Sequence, residues 1–253
     1  MHRFQIDSAS IKNSSVLLDE KESHHAVSVL RLKTGEPVVL IDGKGRSFLG
    51  SVSGIEDGRL RVKIEPPLDS PTGTTERSSH FQITMAVSVI KPERMELLIQ
   101  KACELGVHSI IPVRSERSII KLPKERWQEK IKRWQKIASE SCKQCGLLLI
   151  PEVHEVTDLK NVFSDASAYD RIIIPTLVVS TKPLYEVLKG SRVGRLLVLI
   201  GPEGDFTKKE VALAASHGAV PVTLGPLVLR TETAVIYLMS ALNFFYREIA
   251  SNG

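Results

Sequence analysis

Residues 195–210 read RLLVLIGPEGDFTKKE and residues 219–234 read AVPVTLGPLVLRTETA, and these two stretches decide the fold. Each opens with an apolar run of strand length, breaks at a Gly-Pro pair and passes into a helix pattern. In the first, Leu196–Ile200 reads as a buried strand, and Gly201 and Gly204 let the backbone turn sharply and approach a ligand closely. Thr207 followed by Glu210 forms a capping box that starts the next helix. A helix N-terminus offers unpaired N–H groups and a partial positive charge, which suit an anionic or carbonyl group. An ordinary strand-to-helix turn explains the same residues. Ligands of open α/β sheets bind at the carboxyl ends of strands. Two such loops, one βαβ unit apart, therefore predict one shared cleft.

The second loop is the more specific. Leu224-Gly225-Pro226 breaks the strand, and Leu227–Leu229 is apolar where a solvated loop is normally polar. A buried loop of this kind needs its backbone groups satisfied by neighbours or by a ligand. Arg230-Thr231-Glu232-Thr233 then supplies a cation, two hydroxyls and a carboxylate at the start of an apolar helix. An arginine there opposes the helix dipole, so an anionic partner explains it better: Glu232, a phosphate or a ligand carboxylate. Neither stretch is G-x-G-x-x-G or G-x-x-x-x-G-K-[ST], so no dinucleotide or nucleoside-triphosphate reading has support.

Upstream, strands are expected at Gln82–Ile90, Val107–Val113 and Arg171–Thr176. Helices are expected at Glu93–Leu105, Lys124–Cys145, Lys208–His217 and Thr233–Ile249. Strands alternating with helices predict an α/β fold with a parallel sheet. The first 65 residues differ. Short β-like runs at Ser15–Leu18, Pro37–Ile41, Ser47–Ser53 and Leu60–Ile64 are separated by Asp42-Gly43, Lys44-Gly45 and Asp57-Gly58, with a helix at Glu20–Leu32. They read as a small β-barrel. Pro66–Thr75 is rich in Pro, Gly, Ser and Thr and reads as a linker, giving domains 1–70 and 78–253.

The chain has 253 residues and a formal charge of +5. That charge is uneven: 1–70 is balanced, whereas 91–147 carries a surplus of Lys and Arg and no Asp. A local basic surplus is the footprint of a phosphate-rich partner, although a solvated helix face has the same composition. No apolar run is long enough to span a bilayer, MHRFQIDSAS has no secretory character, and three cysteines argue against a disulfide framework. A cytoplasmic location is expected. Cys142 and Cys145 on one apolar helix face are read as small hydrophobes, because no second pair completes a zinc site. Trp127 and Trp134 are read as core on the same stripe.

Strand-GPEG-helix followed by strand-LGPLVLRTETA-helix resembles the SPOUT class of RNA methyltransferases, and within it the RsmE family of 16S rRNA (uridine-N3) methyltransferases. The resemblance extends over nearly the whole chain. It includes Lys91 with Arg94-Met95-Glu96, Gln100-Lys101, Glu104–Val107, Ser115–Ser118 and Ser139–Gly146. In the amino-terminal part it includes His24-His25, Val29-Leu30-Arg31 and Gly35. Two positions depart from the pattern. Asp205 stands where the family often has a second glycine, and Leu147 where an arginine is common.

The resemblance implies a C-terminal trefoil knot, a PUA-like RNA-binding barrel and a homodimer, with S-adenosylmethionine as cofactor and 16S rRNA of the 30S subunit as partner. It implies cofactor contacts from Thr176, Leu177, Gly201, Pro202, Glu203, Gly204, Leu224, Gly225, Val228, Leu229, Thr231, Thr233 and Ala234. Arg230 would stabilise the uridine anion or position the nucleotide, and Glu232 would hold Arg230 or accept the proton. RNA contacts are expected from His24, Arg31, Lys33, Lys91, Arg94, Arg114 and Arg117, and no metal is expected. Methylation of another RNA, or RNA binding without catalysis, are the competing readings.

Overall fold

Asp57 and Gly58, at φ of 50° and 74°, close a tight hairpin between β4 (Ser47–Glu56) and β5 (Arg59–Ile64), as two adjacent left-handed residues do in a type I′ turn. That hairpin organises the first of two units in the computed structural model, which describes residues 1–65, 81–118, 120, 123–189 and 193–249. The first unit takes Met1–Ser78 with Ser139–Ile150, and the second takes Ser79–Ala138 with Pro151–Gly253. The linker expected at Pro66–Thr75 lies outside the described residues.

In the first unit β1 (His2–Gln5), β2 (Ser15–Leu17) and β3 (Pro37–Ile41) join β4 and β5 in the order β1-β3-β4-β5-β2. Phe4, Val16, Val38, Leu40, Val52, Leu60 and Val62 share one core. Residues of both edge strands therefore close on the same interior. The opposite face of β3, at Val39 and Ile41, packs on Leu148. The expected helix at 20–32 is shorter and irregular. α1 (Glu20–His24), capped by the Asp19 carboxylate, gives way to a π-turn at His25–Val29, and Arg31 at φ 56° ends it. In the same unit the Lys143 ammonium meets Glu22 at 2.6 Å and Glu140 at 2.9 Å. Burial alone would lower its pKa, but the two carboxylates outweigh burial and raise it.

The second unit is built on a parallel sheet. Its strands are β6 (Gln82–Ser88), β7 (Ser109–Arg114), β8 (Glu152–Val153), β9 (Thr157–Asp158), β10 (Arg171–Pro175), β11 (Lys182–Pro183), β12 (Arg195–Ile200) and β13 (Ala219–Thr223). The order is β11-β13-β10-β12-β6-β7-β8, with β9 also on β7. Strands β6, β10 and β12 are almost continuously apolar and buried, as strands covered on both faces must be. The last long strand pairs with β10 rather than β12, so the chain crosses over before it ends.

The helices α2 (Pro92–Glu104), α3 (Lys124–Cys145), α4 (Leu159–Val162), α5 (Leu184–Leu188), α6 (Lys208–Ser216) and α7 (Thr231–Asn243) complete the fold. Met95, Leu98, Ile99 and Ala102 form the buried stripe of α2, spaced at i, i+3, i+4 and i+7. Trp127 and Trp134 are buried on α3, their ring centroids 6.4 Å apart, so packing and not base stacking occupies them. Cys142 is buried but Cys145 is exposed, which corrects the expectation of a shared apolar face. The helix ends there, and after Gly146 the chain returns over Cys142, whose sulfur lies 3.9 Å from the Leu149 carbonyl oxygen. Beyond α7 a π-turn, Phe244–Ile249, places Tyr246 in a buried aromatic cluster with Phe81 and Phe245. Burial pushes the Tyr246 phenol up to about 12.

Candidate active site

The parallel register sets the carboxyl ends of β10, β12 and β13 side by side, and the loops that follow them surround a cleft of about 600 Å³ that opens to solvent. From the β10 loop come Pro175, Thr176 and Leu177; from the β12 loop, Gly201, Pro202, Glu203 and Asp205. The β13 loop supplies Leu224, Gly225, Leu227, Val228 and Leu229, and the first turn of α7 supplies Thr231 and Ala234. Gly204 and Thr233, expected among them, lie outside the lining. The Gly204 carbonyl is turned to Arg117. Helix α7 begins at Thr231, two residues before the expected start, so Thr231 and Ala234 face inward at i and i+3 while Thr233 is exposed.

The GPEGDF loop is fixed from several sides. A Cβ at Gly201 would meet the Phe206 nitrogen at 3.0 Å and the Asp205 carbonyl carbon at 3.2 Å, so any side chain there crowds the turn's backbone. Phe206 is fully buried beneath it. The capping box is present: Thr207 accepts from the Glu210 N–H, and the Glu210 carboxylate accepts from the Thr207 N–H at 2.8 Å. Its other oxygen accepts from the Glu116 N–H at 2.8 Å. Arg117 donates to the Gly204 carbonyl, and the Thr231 hydroxyl donates to the Gly201 carbonyl at 3.2 Å.

Asp205 is one of five non-glycine residues at positive φ among the described residues, at 63°. One carboxylate oxygen accepts from the Phe206 N–H at 2.6 Å, and the other accepts from the Thr176 hydroxyl at 2.9 Å and the Leu177 N–H at 2.7 Å. A glycine-to-aspartate departure thus becomes a bridge between two loops. The sequence places Asp205 in the turn; only the fold places its side chain against Thr176.

The charged groups are arranged differently from the expectation. Glu232 does not hold Arg230. Its Oε1 lies 3.9 Å from Arg94 Nε, and Arg94 Nη1 donates to Glu203 at 3.0 Å. Residues two apart at a helix start point in different directions, which separates Glu232 from Arg230. Arg230 caps α7 with its backbone, is exposed, and makes no recorded side-chain bond among the described residues. Glu232 is 8% exposed and its Oε2 is buried without a hydrogen-bond partner among the described residues. Two carboxylates against one guanidinium leave this cluster of three with an excess negative charge.

Of the residues expected at RNA, Arg94 is engaged with Glu203 and Glu232, Arg117 with Gly204, and Arg114 with Asp158 at 2.9 Å. Lys91 is exposed at the start of α2, and His24, Arg31 and Lys33 are exposed in the first unit. Among the described residues no group of three or more His, Cys, Asp or Glu is placed to hold a metal ion, and no helix is long and apolar enough to cross a membrane.

The apolar loop is open to solvent: Leu227 is 73% and Val228 is 77% exposed. The expectation that this stretch is buried is corrected, because nothing among the described residues covers it. It offers an apolar surface in a cleft also lined by Gly201 and Gly225, which suits an aromatic base with its edge read by backbone. The Glu203 carboxylate in the same lining suits a cationic group. The adenine and sulfonium groups of S-adenosylmethionine fit this division.

Comparison with known proteins agrees with that fit. Residues 77–243 match the RNA methyltransferase domain family and residues 18–65 the RNA methyltransferase PUA domain family. The Ribosomal RNA small subunit methyltransferase E of Bacillus subtilis (strain 168) is 30% identical over 240 residues, covering 88% of each chain. The protein of that name from Buchnera aphidicola subsp. Acyrthosiphon pisum is 28% identical, covering 92% of this chain and 89% of its own. The crystal structure of a Ribosomal RNA small subunit methyltransferase E from Neisseria gonorrhoeae bound to S-adenosyl methionine superposes with a TM-score of 0.84. It is 28% identical and covers 97% of this chain and 98% of its own.

Proposed function

The chain belongs to the Ribosomal RNA small subunit methyltransferase E family, and from that membership we propose that it transfers a methyl group from S-adenosylmethionine to N3 of a uridine in 16S rRNA. The observation that carries the reading is the exposed pair Leu227 and Val228 beside the Gly201 turn, an apolar surface that a bound adenine would cover.

When bound, S-adenosylmethionine supplies an electrophilic methyl group, so the protein's work is alignment and management of the N3 proton. Thr176, Gly201, Gly225 and Leu229 hold the donor, and Glu203 sets a negative charge beside it. Arg230, exposed and flanked in sequence by the lining residues Leu229 and Thr231, has a guanidinium with no recorded partner among the described residues. It stabilises negative charge on the uracil as N3 loses its proton. Glu232, one oxygen of which lacks a partner among the described residues, is the candidate acceptor of that proton.

Residues 1–70 serve as the RNA-binding domain, with His24, Arg31 and Lys33 on phosphate and sugar, and 78–253 as the catalytic domain. Its crossed strand order supports a trefoil knot. On α7 and the turn after it, Thr233, Tyr237, Ser240 and Phe244 form an exposed stripe, Tyr237 at 47% and Phe244 at 61% exposure. A second copy of the chain would cover it. A ribosomal substrate supports a cytoplasmic location.

The test incubates protein and labelled donor with under-methylated 30S particles and maps the product. A methyl group at uridine N3 is expected; one on a ribose or a tRNA refutes the assignment. Arg230→Ala is expected to lower turnover about a hundredfold or more, in line with removal of one preorganised charge, with donor affinity changed little. Unaltered turnover would remove Arg230 from catalysis.

A further inference from the structure

We propose that the Asp205 carboxylate is a clasp that pre-sets the loop after β10 for the donor, a positioning role that rests on the assignment of the cleft to S-adenosylmethionine. Thr176 is buried and Val178 packs against the core, but the residues on either side of Val178 have no such anchor. Leu177 is 62% exposed and Val179 36%, so side-chain burial does not fix their positions. The bond from the Thr176 N–H to the Val222 carbonyl, 3.2 Å, ties the loop's first residue to the sheet. Beyond it the Leu177 N–H goes to Asp205, and the Val178 N–H goes to the Thr176 hydroxyl at 3.3 Å, itself a donor to Asp205. One carboxylate therefore orders successive backbone groups of a loop it does not belong to.

The backbone at Asp205 lies in the left-handed region, where glycine is the least strained residue and Asp and Asn are the best of the others. Glycine there makes the turn but has no side chain to reach Thr176. In this chain the turn and the tether are combined, and Asp205 also lines the cleft. The benefit falls on the ligand-free protein: a loop already in place loses less freedom when the donor binds. Chemistry after binding is untouched, because Asp205 has no role at the reacting atoms.

The experiment compares wild type, Asp205→Ala, Asp205→Asn and Thr176→Val, each checked by circular dichroism. Donor binding is measured by calorimetry, methyl transfer by steady-state kinetics, and exchange of the 176–180 amides by mass spectrometry without ligand. Asp205→Ala is expected to raise the donor Kd and KM about tenfold, as loss of two or three hydrogen bonds would. Its kcat should stay near wild type and its loop amides should exchange faster. Asp205→Asn, which tolerates the same backbone and keeps an acceptor, should recover most of the affinity. The losses from Asp205→Ala and Thr176→Val should be less than additive, because the Thr176 hydroxyl is one of the groups the carboxylate holds. Wild-type Kd and exchange in Asp205→Ala would overturn the clasp while leaving the donor assignment standing. An Asn variant as weak as the Ala variant would overturn it also, by showing that charge and not bonding matters. Absence of donor binding by the wild type would remove the assignment and the clasp together.

Discussion

Replacing Glu210 with alanine removes the residue that joins two loops behind the cleft. Its carboxylate accepts from the Thr207 N–H and from the Glu116 N–H, each at 2.8 Å, and is 6% exposed. Bonds to a charged group contribute roughly 1.5–3 kcal/mol each. Thr207 is half-buried and Glu116 exposed, so water reaches the orphaned donors and the lower end applies. The favourable placement of an acid at a helix N-terminus adds about 0.3–1 kcal/mol, which the better helix propensity of alanine partly offsets. The net loss is about 3 kcal/mol. In a unit of this size that lowers Tm by roughly 6–12 °C. Glu210→Gln keeps one acceptor oxygen and should lose about half as much. Urea unfolding followed by tryptophan fluorescence is the assay, since Trp127 and Trp134 both lie in the second unit. A loss below about 1 kcal/mol for the alanine variant, or equal losses for both variants, would refute the reasoning.

Other consequences are as direct. Leu227→Ala combined with Val228→Ala should weaken donor binding about tenfold through lost apolar contact, with the unfolding midpoint almost unchanged because both side chains are exposed; a drop in stability with normal binding would contradict that exposed placement. Tyr246, with a folded-state pKa of about 12 against an ordinary value of 10, binds its proton more tightly when folded. Its contribution is therefore complete below pH 10 and lost as pH rises toward 12. It amounts to about 3 kcal/mol, at roughly 1.4 kcal/mol per pH unit between 10 and 12. Denaturation midpoints at pH 9 and pH 11.5 should fall more steeply for wild type than for Tyr246→Phe, and parallel curves would count against a buried phenol.

What the sequence discloses depends on how far apart the interacting residues lie. The Thr207–Glu210 capping box is local and legible, and so is the buried stripe of α2, because a 3.6-residue period puts those residues on one face. β1 escaped notice because it is only four residues long and finds its partner, β3, thirty-odd residues on. The pairing of Arg94 with Glu203 spans a sequence separation of 109, and no pattern in either segment announces it. Arg94 therefore read as a surface cation, and Glu232 was matched to its neighbour Arg230. Asp205 was visible as a departure from a glycine pattern, but its target, Thr176, was not. The start of α7 was missed by two residues because Arg230 is an unusual cap and Thr233, not Thr231, carried the local signal.

The strand order also bears on how the chain is made. β6 is paired on one side by β7, its near neighbour in sequence, and on the other by β12, from Gln82 opposite Arg195 to Val87 opposite Ile200. The nascent chain therefore emerges with one edge of QITMAVS open until roughly a hundred more residues are translated, on the order of ten seconds at about 5–20 residues per second. That edge is apolar and has neither charge nor proline to deter pairing with another chain. Overexpression, by crowding such half-made chains together, should cost yield in the nascent stage even though the finished protein shields β6 on both sides.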